Sequence, residues 1–79
     1  MKLIVLNLPR DFSEESLAKL FKTHGKVSAC NVVMDAQTGA SKGFGFVEMA
    51  HEAEALVAIE KLNGRLVDQK NKIRVKAAD

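Results

Sequence analysis

Four stretches of the chain carry the apolar pattern of strands, and two carry that of amphipathic helices. Leu3-Ile4-Val5-Leu6 is a short apolar run closed by Asn7-Leu8-Pro9, which predicts a first strand and its exit turn. In a strand, Leu3 and Val5 share one face and Ile4 and Leu6 the other. Pro9-Arg10-Asp11 is a turn, after which Ser13 is placed to cap a helix, with Glu14 and Glu15 at its positive end. Phe12 and Leu17 occupy the two positions of a hydrophobic staple, and Leu17, Leu20 and Phe21 form a stripe at helical spacing. Gly25 is the expected residue just past the end of this helix, beside Lys22, His24 and Lys26.

Val27 to Met34 predicts a second strand, with Cys30, Val32 and Met34 toward the core and Asn31 and Val33 on the other side. The polar loop 35–41, with a glycine at Gly39, makes a long hairpin to a third strand from Lys42 to Met49. Glu52 to Leu62 predicts the second helix, buried through Ala55, Ala58, Ile59 and Leu62 and closed by Asn63-Gly64. Leu66-Val67 is a candidate short extra strand, and Asp68 to Asn71 a polar turn. Lys72-Ile73-Arg74-Val75-Lys76 alternates strictly, giving a fourth strand with Ile73 and Val75 inward and Lys72, Arg74 and Lys76 outward.

The third strand is unusual. Lys42, Phe44, Phe46 and Glu48 point one way, and Gly43, Gly45, Val47 and Met49 the other. Two of the four phenylalanines of the chain thus share a face with a cation at the entrance, an arrangement suited to stacking nucleobases. The order β-α-β-β-α-β predicts an α+β, ferredoxin-like sandwich, with two helices on one face of a four-stranded antiparallel sheet and the first and third strands central. The other sheet face then presents Ile4, Leu6, Asn31, Val33, Phe44 and Phe46, with Lys72, Arg74 and Lys76 along one flank. An uncovered face normally reads polar, and an apolar patch rimmed by charge marks a binding surface.

Composition changes this picture little. Seventy-nine residues make one domain, and 12 basic against 10 acidic residues give a net charge of only +2. The distribution of charge therefore carries the argument. The single cysteine, Cys30, forms no internal disulfide and fits a reducing compartment, so the cytoplasm is the expected location. It reads as a small buried apolar residue. No signal peptide core or membrane span precedes the first strand. A start at Met1 and an end soon after the fourth strand suit a small complete bacterial protein, and an excised domain has the same appearance. No glycine-rich phosphate loop, Cys-x-x-Cys or metal-ligand cluster is present, and neither His24 nor His51 has a catalytic partner suggested by sequence. No enzymatic activity, catalytic residue, cofactor or metal is expected.

Lys42-Gly43-Phe44-Gly45-Phe46-Val47-Glu48-Met49 resembles the octamer consensus of the RNA recognition motif, K/R-G-F/Y-G/A-F-V-x-F/Y, at seven of eight positions counting the free one. Leu3-Ile4-Val5-Leu6-Asn7-Leu8 resembles the hexamer motif of that family, and Asp35, Thr38-Gly39, Ser41-Lys42-Gly43 and Leu62-Asn63-Gly64 are similar to common family phrasing. The resemblance covers essentially the whole of 1–79. Two departures stand out. Ile4 occupies the usually aromatic second hexamer position, so a base rests there without π-stacking. Met49 replaces the usual terminal aromatic, a packing matter.

The resemblance and the residues together imply a module for single-stranded RNA, with single-stranded DNA a possible substitute. Phe44 and Phe46 stack bases, Ile4 extends the platform, and Lys42, Arg74 and Lys76, with Lys72 more weakly, meet phosphates or base edges. Asn31 lies on the same face. Asn7 either caps a turn or hydrogen-bonds a base, and Glu48 is a peripheral solvated residue or a mild selector against phosphate. At roughly 1–3 kcal/mol per stacked base, two rings fall short of the about 8 kcal/mol of a micromolar complex. The basic flank must contribute, and modest affinity over two to four nucleotides is expected. The alternative is a protein-interaction or self-association module using the same face, for which Ile4 and Leu6 speak; a monomer or weak homodimer is expected.

Overall fold

The computed structural model describes residues 1–39, 41–67 and 71–78, Ser41 by its backbone alone. Its elements run β1 (Lys2–Leu6), α1 (Glu14–Lys22), β2 (Val27–Met34), β3 (Ser41–Met49), α2 (Glu52–Leu62) and β4 (Arg74–Ala77). They form one antiparallel sheet in the order β2-β3-β1-β4, with β1 and β3 central. This is the ferredoxin-like βαββαβ architecture that the apolar pattern predicts.

The inner face of the sheet contributes Leu3, Val5, Val32, Val47, Met49 and Val75, all at most 4% exposed. Leu17 and Phe21 of α1 and Ala55, Ala58 and Leu62 of α2 close over them, joined by Leu8 and Ile73. Ser13 caps α1, its hydroxyl oxygen accepting from the Ser16 amide at 3.1 Å. Beyond α2, Gly64 takes φ +84° after the Asn63 cap, and the Asn63 side chain accepts from the Val75 amide at 3.1 Å. The end of the helix is thereby fastened to β4. The Glu14 side chain spans from α1 to the outer sheet strand, where its carboxylate accepts from the Val32 amide at 3.0 Å.

Several expectations are corrected. Met34 is 51% exposed, not in the core. Val32 pairs with Gly45 while Met34 pairs with Ser41, so the register shifts between them and the strict alternation of β2 ends at Val32. Gly25 is not among the glycines with positive φ, and α1 ends at Thr23 in right-handed backbone. Its missing side chain serves another purpose: a Cβ there would lie 2.6 Å from Glu54 Cβ and Cδ, while the Glu54 carboxylate accepts from the Lys26 amide at 3.1 Å. The fourth strand begins at Arg74, two residues later than expected. Lys72 instead forms an isolated bridge with Leu66, the residue expected in a short extra strand. The turn expected at 68–71 lies outside the described residues except for Asn71.

Cys30 is half-buried rather than fully buried. Its thiol reaches the Glu14 carbonyl oxygen at 3.6 Å. Burial pushes the thiol pKa up, and the nearby Glu14 carboxylate adds to this, against a smaller opposing pull from Lys22. Less thiolate is therefore present at neutral pH than on an unperturbed cysteine. Alkylation by iodoacetamide at pH 8 is expected to be several-fold slower for the folded protein than for the same chain in denaturant. Equal rates would contradict this placement.

Gly45 marks the tightest point of the sheet. A Cβ there would sit 2.5 Å from the Asn31 carbonyl oxygen, 3.2 Å from Val32 Cα and 3.3 Å from a Leu17 methyl. Two of these are backbone atoms and cannot swing aside. Gly45→Ala should therefore destabilise the fold by about 1–3 kcal/mol, read as a lower midpoint in urea unfolding.

Candidate nucleic-acid interface

Because β1 pairs with both β3 and β4, and β3 also pairs with β2, side chains on the uncovered face line up in rows across four strands. One row reads Asn31, Phe46, Ile4, Lys76, each facing the next across a strand boundary. The next reads Phe44, Leu6, Arg74. A third reads Ala29, Glu48, Lys2. Across the first two rows the strand order sorts the face by chemistry, with aromatic rings on β3, aliphatic groups on β1 and cations on β4.

Phe44 and Phe46 are half-buried, as are Ile4 and Leu6, while Asn31, Lys42, Arg74 and Lys76 are exposed. The two ring centroids lie 6.1 Å apart with planes at 83°, an edge-to-face pair. The structure therefore brings together six of the eight residues singled out from sequence: Phe44, Phe46, Ile4, Asn31, Arg74 and Lys76. Lys42 stands apart from the rows, because Gly43 takes φ +87° and interrupts the alternation at the entrance of β3. It lines a cleft of about 630 Å³ that runs from Phe44 and Leu6 along the β1–α1 turn to Arg10 and Asn71. Asn7 is drawn into the fold: it takes φ +64°, and its side-chain amide donates to the Lys72 carbonyl at 2.8 Å. Of the two roles open to Asn7, turn-holding is the one with a partner. Lys72 contributes that carbonyl from outside β4.

Two cations of this surface escaped the sequence reading. Lys2 places its ammonium 4.8 Å above the centroid of Phe46, within cation–π range. The signal was present, since Lys2 precedes Ile4 by two and shares its strand phase. Arg10 had no such signal. Its turn is brought to the start of β3 by the Leu8 amide, which donates to the Gly43 carbonyl at 2.8 Å, so that Arg10 borders the cleft with Gly43 and Lys42. Among the described residues, no group of three or more His, Cys, Asp or Glu side chains is placed to hold a metal ion, and no helix is long and apolar enough to cross a membrane.

Comparison with known proteins bears on this geometry. The chain is 44% identical over 78 residues to a chloroplastic 28 kDa ribonucleoprotein of Nicotiana sylvestris, covering 99% of this chain and 28% of that protein. It is 45% identical over 64 residues to a protein of the cyanobacterium Nostoc named RbpB, covering 81% and 62%. It thus spans little more than a quarter of the tobacco protein and under two thirds of the cyanobacterial one. Among solved structures, RNA-binding protein PG1 superposes with a TM-score of 0.93 at 42% identity, over 99% of this chain and 93% of that one. A Sex-lethal protein in complex with RNA superposes at 0.92 and 36% identity, over 99% and 46%. The RNA recognition motif family matches residues 3–72. With its sheet order, its octamer on β3 and this match over most of its length, the chain belongs to the RNA recognition motif family.

Proposed function

We propose that the chain binds single-stranded RNA on the uncovered sheet face and carries out no reaction on it. The observation that carries this reading is the pair of half-buried rings at the centre of a face whose other side already holds the core. The rings meet each other edge to face and Phe46 meets Lys2, but they take no part in the core, and bases supply flat partners for their outward faces. Phe46 and Phe44 each take a base. Ile4 supports the first as an apolar neighbour without π-stacking. Arg74 and Lys76 face the phosphates from β4, and Lys42 with Arg10 meets the strand where it leaves the sheet along the cleft. Asn31 faces base edges, and Asn7 acts through the turn it holds.

The reading extends to residues 1–79 as one binding domain, acting as a monomer on about two to four nucleotides, with single-stranded DNA as a weaker ligand. Cytoplasmic residence belongs to the same proposal, supported by an unpaired thiol; relatives named as chloroplastic carry a related sequence in another compartment. Self-association through the same face is the competing use. Ile4 and Leu6 are only half-exposed, so the apolar area offered to a second copy is small.

Replacing both rings, Phe44→Ala with Phe46→Ala, should leave the far-ultraviolet circular dichroism unchanged and weaken binding to a mixed-sequence RNA octamer at least tenfold. Retained affinity would remove the stacking model. Log affinity should fall with log salt at a slope of about −1.4 to −2.8, as expected for two to four neutralised phosphates of a single strand. Changing Arg74 or Lys76 to Ala should flatten that slope by about 0.7 each; an unaltered slope would take the backbone contact away from β4.

A further inference from the structure

We infer that the hollow beside Phe46 reads the edge of the stacked base and that Glu48 makes it select guanine. The inference rests on the stacking reading above. Lys2, Ala29, Asn31, Phe46 and Glu48 enclose a shallow depression of about 130 Å³. Phe46 and Glu48 are two apart on β3 and so share a face. Register sets Asn31 beside the ring and Ala29 beside the carboxylate. Ala29 is exposed and ends at a methyl group, which leaves the space next to Glu48 open to a flat ring edge. A base lying on Phe46 therefore meets Glu48 and Asn31 with the edge that extends over Ala29.

The donor pattern of that edge decides which base fits. An ionised carboxylate only accepts hydrogen bonds. Guanine offers an imino and an amino N–H side by side on its Watson–Crick edge, matching the two carboxylate oxygens. Adenine and cytosine offer one amino group beside a ring nitrogen that repels the second oxygen. Uracil offers one imino N–H between two carbonyls. Asn31 can donate to the guanine carbonyl next to these donors. Lys2 is the cross-strand partner of Glu48, and its ammonium lies over the Phe46 ring; among the described residues no cation lies within 4 Å of the Glu48 carboxylate. The one rearrangement is at Lys2, whose ammonium lies over the ring face that the base takes; its flexible stem lets it swing toward the incoming phosphate.

The test uses fluorescence anisotropy on four labelled uridine octamers that carry G, A, C or U at one central position. The wild-type protein should bind the G oligomer about tenfold more tightly than the others, in the range a bidentate base contact supplies. Glu48→Gln, an exposed isosteric change, should bring G to within about twofold of the others. Absence of a guanine preference in the wild type, or its persistence in Glu48→Gln, overturns the inference. Phe46→Ala separates the two levels. If it weakens all four oligomers while Glu48→Gln leaves their order intact, stacking stands and edge selection fails. If it weakens none, the stacking reading itself fails.

Discussion

The pairing of β1 with β3 is the constraint on which everything else in this protein depends. Leu3 faces Val47 and Val5 faces Gly45 on the inner side, while Ile4 faces Phe46 and Leu6 faces Phe44 on the outer side. A slip of one residue would carry both rings into the core and Val47 out to water. Gly45 allows the strands and helix α1 to approach closely enough for that register to hold, since no side chain fits between it, the Asn31 carbonyl and Leu17. The same contact that fills the core therefore aims the rings outward. Fold and binding surface are two faces of one set of hydrogen bonds.

Much of this is legible in the sequence because the relevant periods are simple. The two-residue period of β1 and β3 identifies which side chains share a face, and the helical stripes identify Leu17, Phe21, Ala55 and Ala58 as inner residues. The illegible parts are those where alternation is broken by geometry that has no local signature. Met34 follows a register shift in β2. Gly43 takes a left-handed backbone at the head of β3. Gly25 looks like a helix terminator and instead makes room for Glu54, a residue 29 positions away. Arg10 reaches the surface only because the Leu8 amide ties its turn to Gly43, a contact between distant parts of the chain. Lys2 is the exception, since its phase marks it for the ring face even though its neighbours in sequence draw attention elsewhere.

The face is assembled from groups that are individually weak. The edge-to-face arrangement of the rings presents two differently inclined surfaces, and an aliphatic group stands where a third ring would enlarge the platform. Cations border the rings on β4, over Phe46 and along the cleft, so in the proposed complex long-range attraction and short-range stacking would act on the same nucleotides. Such a surface gains most from ligands that are already unstacked and flexible, because no large platform is present to offset the cost of pulling bases out of a helix.

The hydrogen bond from the Val32 amide to the Glu14 carboxylate has a consequence for how the protein behaves in a crowded solution. β2 is an edge strand, and the outward amides of an edge are what a strand from another molecule needs in order to add to the sheet. At Val32 that donor is already taken by the Glu14 carboxylate, a hydrogen bond that an incoming strand would have to break. Helix α1 thus serves as a guard for the sheet margin as well as a cover for its core. Growth of the sheet by strand addition is obstructed at Val32 on the β2 edge, while β4 forms the opposite edge of the sheet.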